Sequence, residues 1–329
     1  MSAASIPCAR VRRTARGFTL IELLISLTIG LVILAAGLSV FATSSRSSQL
    51  SEVETQMNED GILALNLIQQ QIKQAGFSQQ LIPSHGATVM GNYAGPAVRG
   101  CDGGFTDAAA AFDKLSCVGG EGSDAIAIRY EATPDNTVPL LTDATVATNC
   151  VGNSILPLTP TQVSPRPTPA AGTSLPDLYA LADNRYLVTD AQTAPMLSCR
   201  GAEKRNTANI MGAPQPLLAN VERMQILYGV ASRPSAELAA AYDPLLHQIV
   251  DYLEASDVDK LSETIEDRWS RVLSVRVCLL MRSDRPVRDV PEGGMAYKQC
   301  HNADETGTDG YLRRTYTTTV LLRNRLIAP

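Results

Sequence analysis

Glu22 is the only charged residue in the 25 residues from Phe18 to Ala42, FTLIELLISLTIGLVILAAGLSVFA. A charged side chain at a bilayer centre costs roughly 2.5–3.5 kcal/mol, and less near the interface, so it needs hydrated headgroups or a positive partner. Gly17 and Phe18 stand at the boundary of this run, behind Arg10, Arg12, Arg13 and Arg16, with no acidic residue in 1–17. Glycine there permits extended or strained backbone and close approach by a second protein. The other reactive side chains are seven cysteines, at 8, 101, 117, 150, 199, 278 and 300, and histidines at 85, 247 and 301. No CxxC occurs and the histidines are scattered, so apart from the adjacent Cys300 and His301 nothing suggests a zinc site. Asp304, Thr306, Thr308 and Asp309 before Gly310 form an oxygen-rich turn without EF-hand spacing, which reads as a solvated turn ahead of a calcium site. GxSxG, HExxH, P-loop and GxGxxG patterns are all missing from the sequence. No catalytic residue, metal or cofactor is expected, and the chain does not read as an enzyme.

Glu22 is positioned by the apolar run itself. At 1.5 Å per residue, 25 residues make a helix about 37 Å long, enough for a hydrocarbon core of about 30 Å. The run is too long for a secretory h-region, and no A-x-A-like cleavage site follows it. The four arginines place 1–17 in the cytoplasm and everything after Ala42 on the far side of the membrane. The whole chain has 329 residues, 45% hydrophobic and 19% charged, which describes a folded protein rather than a disordered or polytopic one. Its net charge of −5 argues against a protein built to grip nucleic-acid phosphates.

No proline occurs between Pro7 and Pro83, so one helix can continue beyond the span. Leu50, Val53, Met57, Gly61, Ala64, Ile68, Ile72 and Ala75 recur at steps of three and four, and Gly76 is a natural stop. This stripe is read as packing on the chain's own domain. A coiled-coil seam is the rival, and Gly61 within the stripe weighs against it. After Phe77 the texture turns to strands. Ile126/Ile128/Tyr130, Met224/Ile226/Tyr228/Val230, Leu273/Val275/Val277/Leu279/Met281 and Tyr316/Thr318/Val320/Leu322 alternate, each predicting a strand with one buried face. Residues 234–271 read as helix or irregular helix, with Leu245, Ile249, Tyr252 and Leu253 on one side. The proline-rich stretch 157–177 reads as a surface loop.

The segment Arg16-Gly17-Phe18-Thr19-Leu20-Ile21-Glu22-Leu23-Leu24 resembles the type IV prepilin, or class III, signal. That resemblance implies cleavage by a membrane prepilin peptidase between Gly17 and Phe18, methylation of the new terminus at Phe18, and docking of Glu22 against the terminal amine of a neighbouring subunit. A second resemblance lies towards the C-terminus. Tyr228-Gly229-Val230, Trp269, Ser274-Val275-Arg276-Val277, Arg282-Ser283, Arg313-Arg314, Tyr316, Thr318-Thr319-Val320 and Leu322-Arg323-Asn324 together look like the PilW family of minor pilins.

These resemblances imply an α+β, pilin-like lollipop: a long N-terminal transmembrane helix packed on a C-terminal antiparallel β-sheet domain. The expected organisation is a cleaved leader at 1–17, a membrane helix at 18–42, its periplasmic continuation at 43–76, and a β-rich head at 77–329. Cys8 leaves with the leader, and Cys101, Cys117, Cys150, Cys199, Cys278 and Cys300 remain as disulfide candidates in an oxidising compartment. Cys101 and Cys117 flank a short Gly-rich loop, and Cys278 and Cys300 can clip a strand to the following loop, but spacing alone settles no pairing. Loss of the four arginines from 28 basic residues leaves 24 against 33 acidic, near −9, so no direct nucleic-acid binding is expected. The implied role is a minor pilin in the inner membrane that helps prime or cap a pilus in a tip complex. Its partners would be the prepilin peptidase, other minor pilins, the major pilin and inner-membrane lipid. The alternatives are a minor pseudopilin of type II secretion and a membrane-anchored periplasmic enzyme or binding protein.

Overall fold

The computed structural model describes residues 17–81, 90–93, 95–138, 140, 142–158, 178–232, 248–287 and 290–325. Residues 1–16 of the expected leader, most of the proline-rich stretch, and His85, Leu245 and His247 lie outside the described residues. Helix α1 runs from Leu20 to Gln74 and is followed by two compact β-sheets, an α+β architecture. The chain divides into two units between Glu52 and Val53.

From Leu20 to Ala42, within the first unit, the helix is apolar on every side, and Leu20, Leu24, Leu31, Ile33, Leu38 and Phe41 are all exposed. In the second unit the three-and-four stripe does what its period demands. Val53, Met57, Gly61, Ala64, Ile68 and Ile72 are buried while the other faces of the same turns stay accessible. Leu50, which continues the stripe in sequence, is 42% exposed because it falls in the first unit. Gly76 adopts φ +72°, the left-handed stop expected after the last turn.

The first sheet has the order β3-β4-β5-β6-β7: Val98–Cys101, Ala125–Ala132, Ala180–Thr189, Met196–Arg205 and Ala208–Met211. A short pair, β1 (Gln80–Leu81) with β2 (Met90–Gly91), precedes it, and β8 (Gln215–Ala219) also pairs with β6. The second sheet has the order β10-β9-β11-β14: Ile249–Leu253, Val221–Ala231, Val272–Arg282 and Arg313–Leu321. A hairpin of β12 (Met295–Lys298) and β13 (Asp304–Gly307) interrupts the run between β11 and β14. All of these pairings are antiparallel. The inner faces of both sheets meet the helix stripe in one core, with Ile126 and Ile128 of β4, Met224 and Ile226 of β9, and Val275, Val277 and Leu279 of β11. Trp269 is buried beside it, edge-on to Tyr228 with ring centres 5.0 Å apart, and its indole N–H donates to Asp259 at 2.9 Å.

Two expectations need correction. Residues 249–253 form strand β10 rather than part of a helix, and the only helices in the described part of 234–271 are α2 (Ala255–Val258) and α3 (Ile265–Ser270). The free edge of β9 decides this. Gly229 has no side chain, a Cβ there would come within 3.1 Å of the Tyr252 ring, and Tyr252 therefore lies across it, accepting from Ser274 Oγ at 3.0 Å under the Arg276 guanidinium. Second, β4 and β11 are buried on both faces rather than one. The covering comes from disulfide-closed segments outside the sheet, described next.

Candidate functional site

The backbone at Gly17, Phe18 and Thr19 is non-helical, and α1 begins at Leu20. Phe18 is 86% exposed, and a Cβ placed on Gly17 would meet no atom within 4 Å. The three residues at the boundary are therefore non-helical and exposed. Thr19 then starts the helix through a reciprocal pair of bonds. The Glu22 carboxylate accepts from the Thr19 backbone N–H and from its hydroxyl, each at 3.0 Å, and the Glu22 N–H donates to Thr19 Oγ1 at 3.3 Å. This is a capping box, Thr-x-x-Glu, which satisfies backbone donors that a helix start otherwise leaves unpaired. Both Thr19 bonds fall on one carboxylate oxygen, Oε2, and the other accepts no bond among the described residues. Thr19 was not singled out on sequence, although the Thr-x-x-Glu spacing ahead of an apolar run is the signal for it.

In the head, the six cysteines beyond the apolar run form three disulfides: Cys101–Cys117, Cys150–Cys199 and Cys278–Cys300, with Cα separations of 5.0, 6.4 and 5.7 Å. Each pins a covering segment. The Cys101–Cys117 loop lies on the outer face of β3, β4 and β5, where Arg99, Arg129 and Arg185 project. Arg99 donates to the carbonyls of Phe112 and Leu115, Arg185 to those of Ala108 and Ala110, and Arg129 stacks on Phe112 at 4.1 Å. Burial pushes the Asp183 carboxyl up, but ion pairs with Arg129 at 2.9 Å and Arg185 at 3.1 Å outweigh it and hold it below its ordinary value. The Cys278–Cys300 bridge fastens the β12–β13 hairpin over β11. There Arg313 binds Glu222 through two bonds and Asp309 through two more, beneath Tyr297.

The oxygen-rich stretch expected as a turn is strand β13 as far as Gly307, and cations of the chain itself hold its carboxylates. Asp304 pairs with Lys298 at 2.7 Å, and the bonds from Arg313 hold the Asp309 carboxyl down at about 2. Cys300 is bridged, so beside His301 it offers no thiolate to a metal.

The C-terminal residues share a second task, gripping the helix. Tyr316 and Arg314 both donate to Asn58 of α1, at 2.6 and 2.7 Å. The Tyr316 ring fills the space above Gly61, where a Cβ would come within 2.5 Å of it. Asn324 caps the end of the helix, donating to the carbonyls of Lys73, Gln74 and Ala75 at 3.1, 3.4 and 3.3 Å.

Comparison with known families agrees with both regions. Residues 12–38 match the prokaryotic N-terminal methylation motif, and residues 185–324 match PilW, the type IV pilus-assembly protein W. Among solved structures, a type IV-like pilin from Thermus thermophilus aligns over 82% of this chain and 98% of its own, at 10% identity and a TM-score of 0.35. A search of curated proteins finds no match. The chain is thus similar to prepilins over its methylation motif, which leads into the long helix and the antiparallel sheets that follow it. The similarity to PilW spans β9, β11 and β14, the Arg313 anchor and the Asn324 cap.

Proposed function

We propose that this protein is a minor pilin of a type IV pilus, processed by prepilin peptidase and incorporated with other minor pilins in a tip complex that primes assembly of the major pilin. Residues 1–17 would be the cytoplasmic leader and 18–42 the membrane helix, with residues 43–76 and the head on the periplasmic side. By length and composition α1 is able to cross a membrane. Cleavage would fall between Gly17 and Phe18, and methylation on Phe18. The non-helical, unobstructed backbone at Gly17 suits attack by a membrane peptidase. Glu22 would dock against the terminal amine of a neighbour, using the carboxylate oxygen that Thr19 does not occupy; an ion pair there relieves the cost of a carboxylate in lipid.

The observation that carries this reading is the presence, on one chain, of a methylation motif and a PilW-type head. Intact mass and N-terminal sequencing of protein from membranes, with and without prepilin peptidase, test it directly. A start at N-methyl-Phe18 that depends on the peptidase is expected; a retained leader would overturn it. Glu22→Ala should leave insertion and most processing intact while reducing incorporation into pili, and normal piliation in that variant would remove the docking role. Co-isolation with a secretion apparatus instead of pili would move the protein to type II secretion.

A further inference from the structure

Where β4 ends and β5 begins lies a cavity of about 500 Å³ that the signal, the disulfide covers of β4 and β11 and the helix grip leave unused. Small organic ligands occupy cavities of roughly 300–1,000 Å³. Glu131 and Asn92 line it, and they are only 3% and 1% exposed. The Glu131 carboxylate accepts three bonds and donates none. Oε2 accepts from the Ser78 hydroxyl and the Gln79 N–H, both at 2.7 Å, and Oε1 accepts from the Asn92 side-chain N–H at 2.8 Å. Ser78 is itself fixed, its Oγ accepting from the Tyr93 N–H at 2.9 Å.

All three donors to Glu131 are neutral. The carboxylate forms no ion pair among the described residues, and a buried charge without a counter-charge is costly. The other polar atom of the Asn92 amide, Oδ1, is buried and accepts no bond. Two acceptors on neighbouring side chains are thus left short. Glu131 Oε1 lacks a positive charge and a second donor, and Asn92 Oδ1 lacks any donor. Of the charged side chains on the cavity wall, Asp143 is a second carboxylate and Lys204 is the only cation among the described residues; both are exposed. Much of the remaining wall is apolar, with Val146, Ile155 and Leu178, the last 54% exposed. The segment carrying Val146 and Ile155 is built in place. Cys150–Cys199 ties it to β6, and the Lys204 N–H donates to the Ser154 carbonyl at 2.8 Å.

The missing partner must bring N–H donors and a positive charge together with apolar surface. A hard metal ion fits poorly, because calcium takes about six to eight oxygens, and no cluster of three His, Cys, Asp or Glu side chains stands among the described residues. We propose that this cavity binds a small molecule carrying a primary ammonium on an apolar body. The ammonium donates to Glu131 Oε1 and Asn92 Oδ1, and the body lies against Val146, Ile155 and Leu178. The neutral cradle of Ser78, Gln79 and Asn92 holds the carboxylate in place before the ligand arrives, so little ordering is left for binding to cost.

Calorimetric titration of the full-length protein in detergent at about pH 7 tests this, with empty micelles subtracted. The probes are phenethylammonium and phenethyl alcohol, which share one apolar body and differ in charge. The ammonium is expected to bind about tenfold or more tightly than the alcohol, the scale of one charge-assisted hydrogen bond. Glu131→Gln should abolish that preference, and Leu178→Trp, at an exposed wall position, should weaken both probes about tenfold by filling the cavity. If Glu131→Gln fails to fold, the wild-type preference and Leu178→Trp still decide. Equal binding of the two probes, a preference that survives Glu131→Gln, or affinities untouched by Leu178→Trp would overturn the site. Tighter binding of Nα-acetyl-lysine amide than of phenethylammonium would also overturn it, by making a partner protein's lysine the ligand.

Discussion

The two halves of α1 are made of the same kind of residue and meet opposite fates. From Leu20 to Phe41 the large apolar side chains point in all directions and are exposed, whereas from Val53 to Ile72 they are confined to one stripe and buried. A helix that is apolar all round can be satisfied only by lipid or by other helices, while a striped helix can be satisfied by its own chain. The first half is therefore left for lipid or other helices to cover, and the second serves the fold. Substitutions in the two should separate accordingly. Ile68 is fully buried in the core, so Ile68→Ala should cost about 2–5 kcal/mol of head stability in urea unfolding. Leu31→Ala, in the exposed half, should leave that unfolding free energy within about 0.5 kcal/mol. Equal losses from the two would erase the distinction.

Glycines sharpen the same contrast. Gly61 lies beneath the Tyr316 ring and a Cβ there would overlap it, whereas Gly30 and Gly37 have nothing within 4 Å. Gly61→Ala should force Tyr316 aside and weaken its bond to Asn58, costing about 1–3 kcal/mol despite the better helix propensity of alanine. Gly30→Ala and Gly37→Ala should be neutral or stabilising for the helix and silent in head unfolding. Thermal unfolding of the three variants reads the difference. A neutral Gly61→Ala would mean that the grip of β14 on α1 is looser than the geometry implies.

How much of this was legible depended on whether the relevant partner is local. The stripe from Val53 to Ile72 and the alternation in β9, β11 and β14 were readable because period alone dictates which side is buried. The limit of the stripe was not, since Leu50 keeps the period but lies in the other unit. Nor was β10, whose Ile249, Tyr252 and Leu253 fit a helical face as well as a strand; the choice rests on Gly229, twenty residues upstream of Ile249. The double burial of β4 and β11 was hidden for the same reason, because their covers are loops fixed by Cys101–Cys117 and Cys278–Cys300. The signal at Gly17, Phe18 and Glu22 was readable as a motif. Thr19, inside that motif, was not legible as a partner because a carboxylate in an apolar run calls for a positive group, whereas its local partner is a neutral hydroxyl and N–H three residues away.

The Arg313 anchor carries a smaller, pH-dependent effect in the head. Bonds from Arg313 lower the Asp309 carboxyl from 3.8 to about 2. A depressed value contributes stability that is complete above 3.8 and is lost as pH falls towards about 2. Asp309 is 45% exposed, so solvent screening limits the contribution to about 1 kcal/mol or less. Wild type and Asp309→Asn should therefore differ modestly at pH 6 and converge near pH 2 in unfolding experiments. A difference that stays constant with pH would mean that the Asp309 bonds act through shape rather than charge.

The smallest effect belongs to Thr19, and it returns to the exposed half of the helix. Its hydroxyl both donates to Glu22 and accepts from the Glu22 N–H, so Thr19→Ala removes one side of the capping box and leaves the backbone bond to the carboxylate in place. Loss of such a cap costs about 1 kcal/mol, confined to the first turn. Amide exchange at residues 20–24 in detergent should quicken by roughly fivefold, while head unfolding stays unchanged because no residue before Val53 belongs to the head unit. Thr19→Ser keeps the hydroxyl and should restore protection; Thr19→Val keeps the shape without it and should not. If serine fails to rescue, the methyl group rather than the hydrogen bonds holds the first turn, and Glu22 reaches a neighbouring amine without help from Thr19.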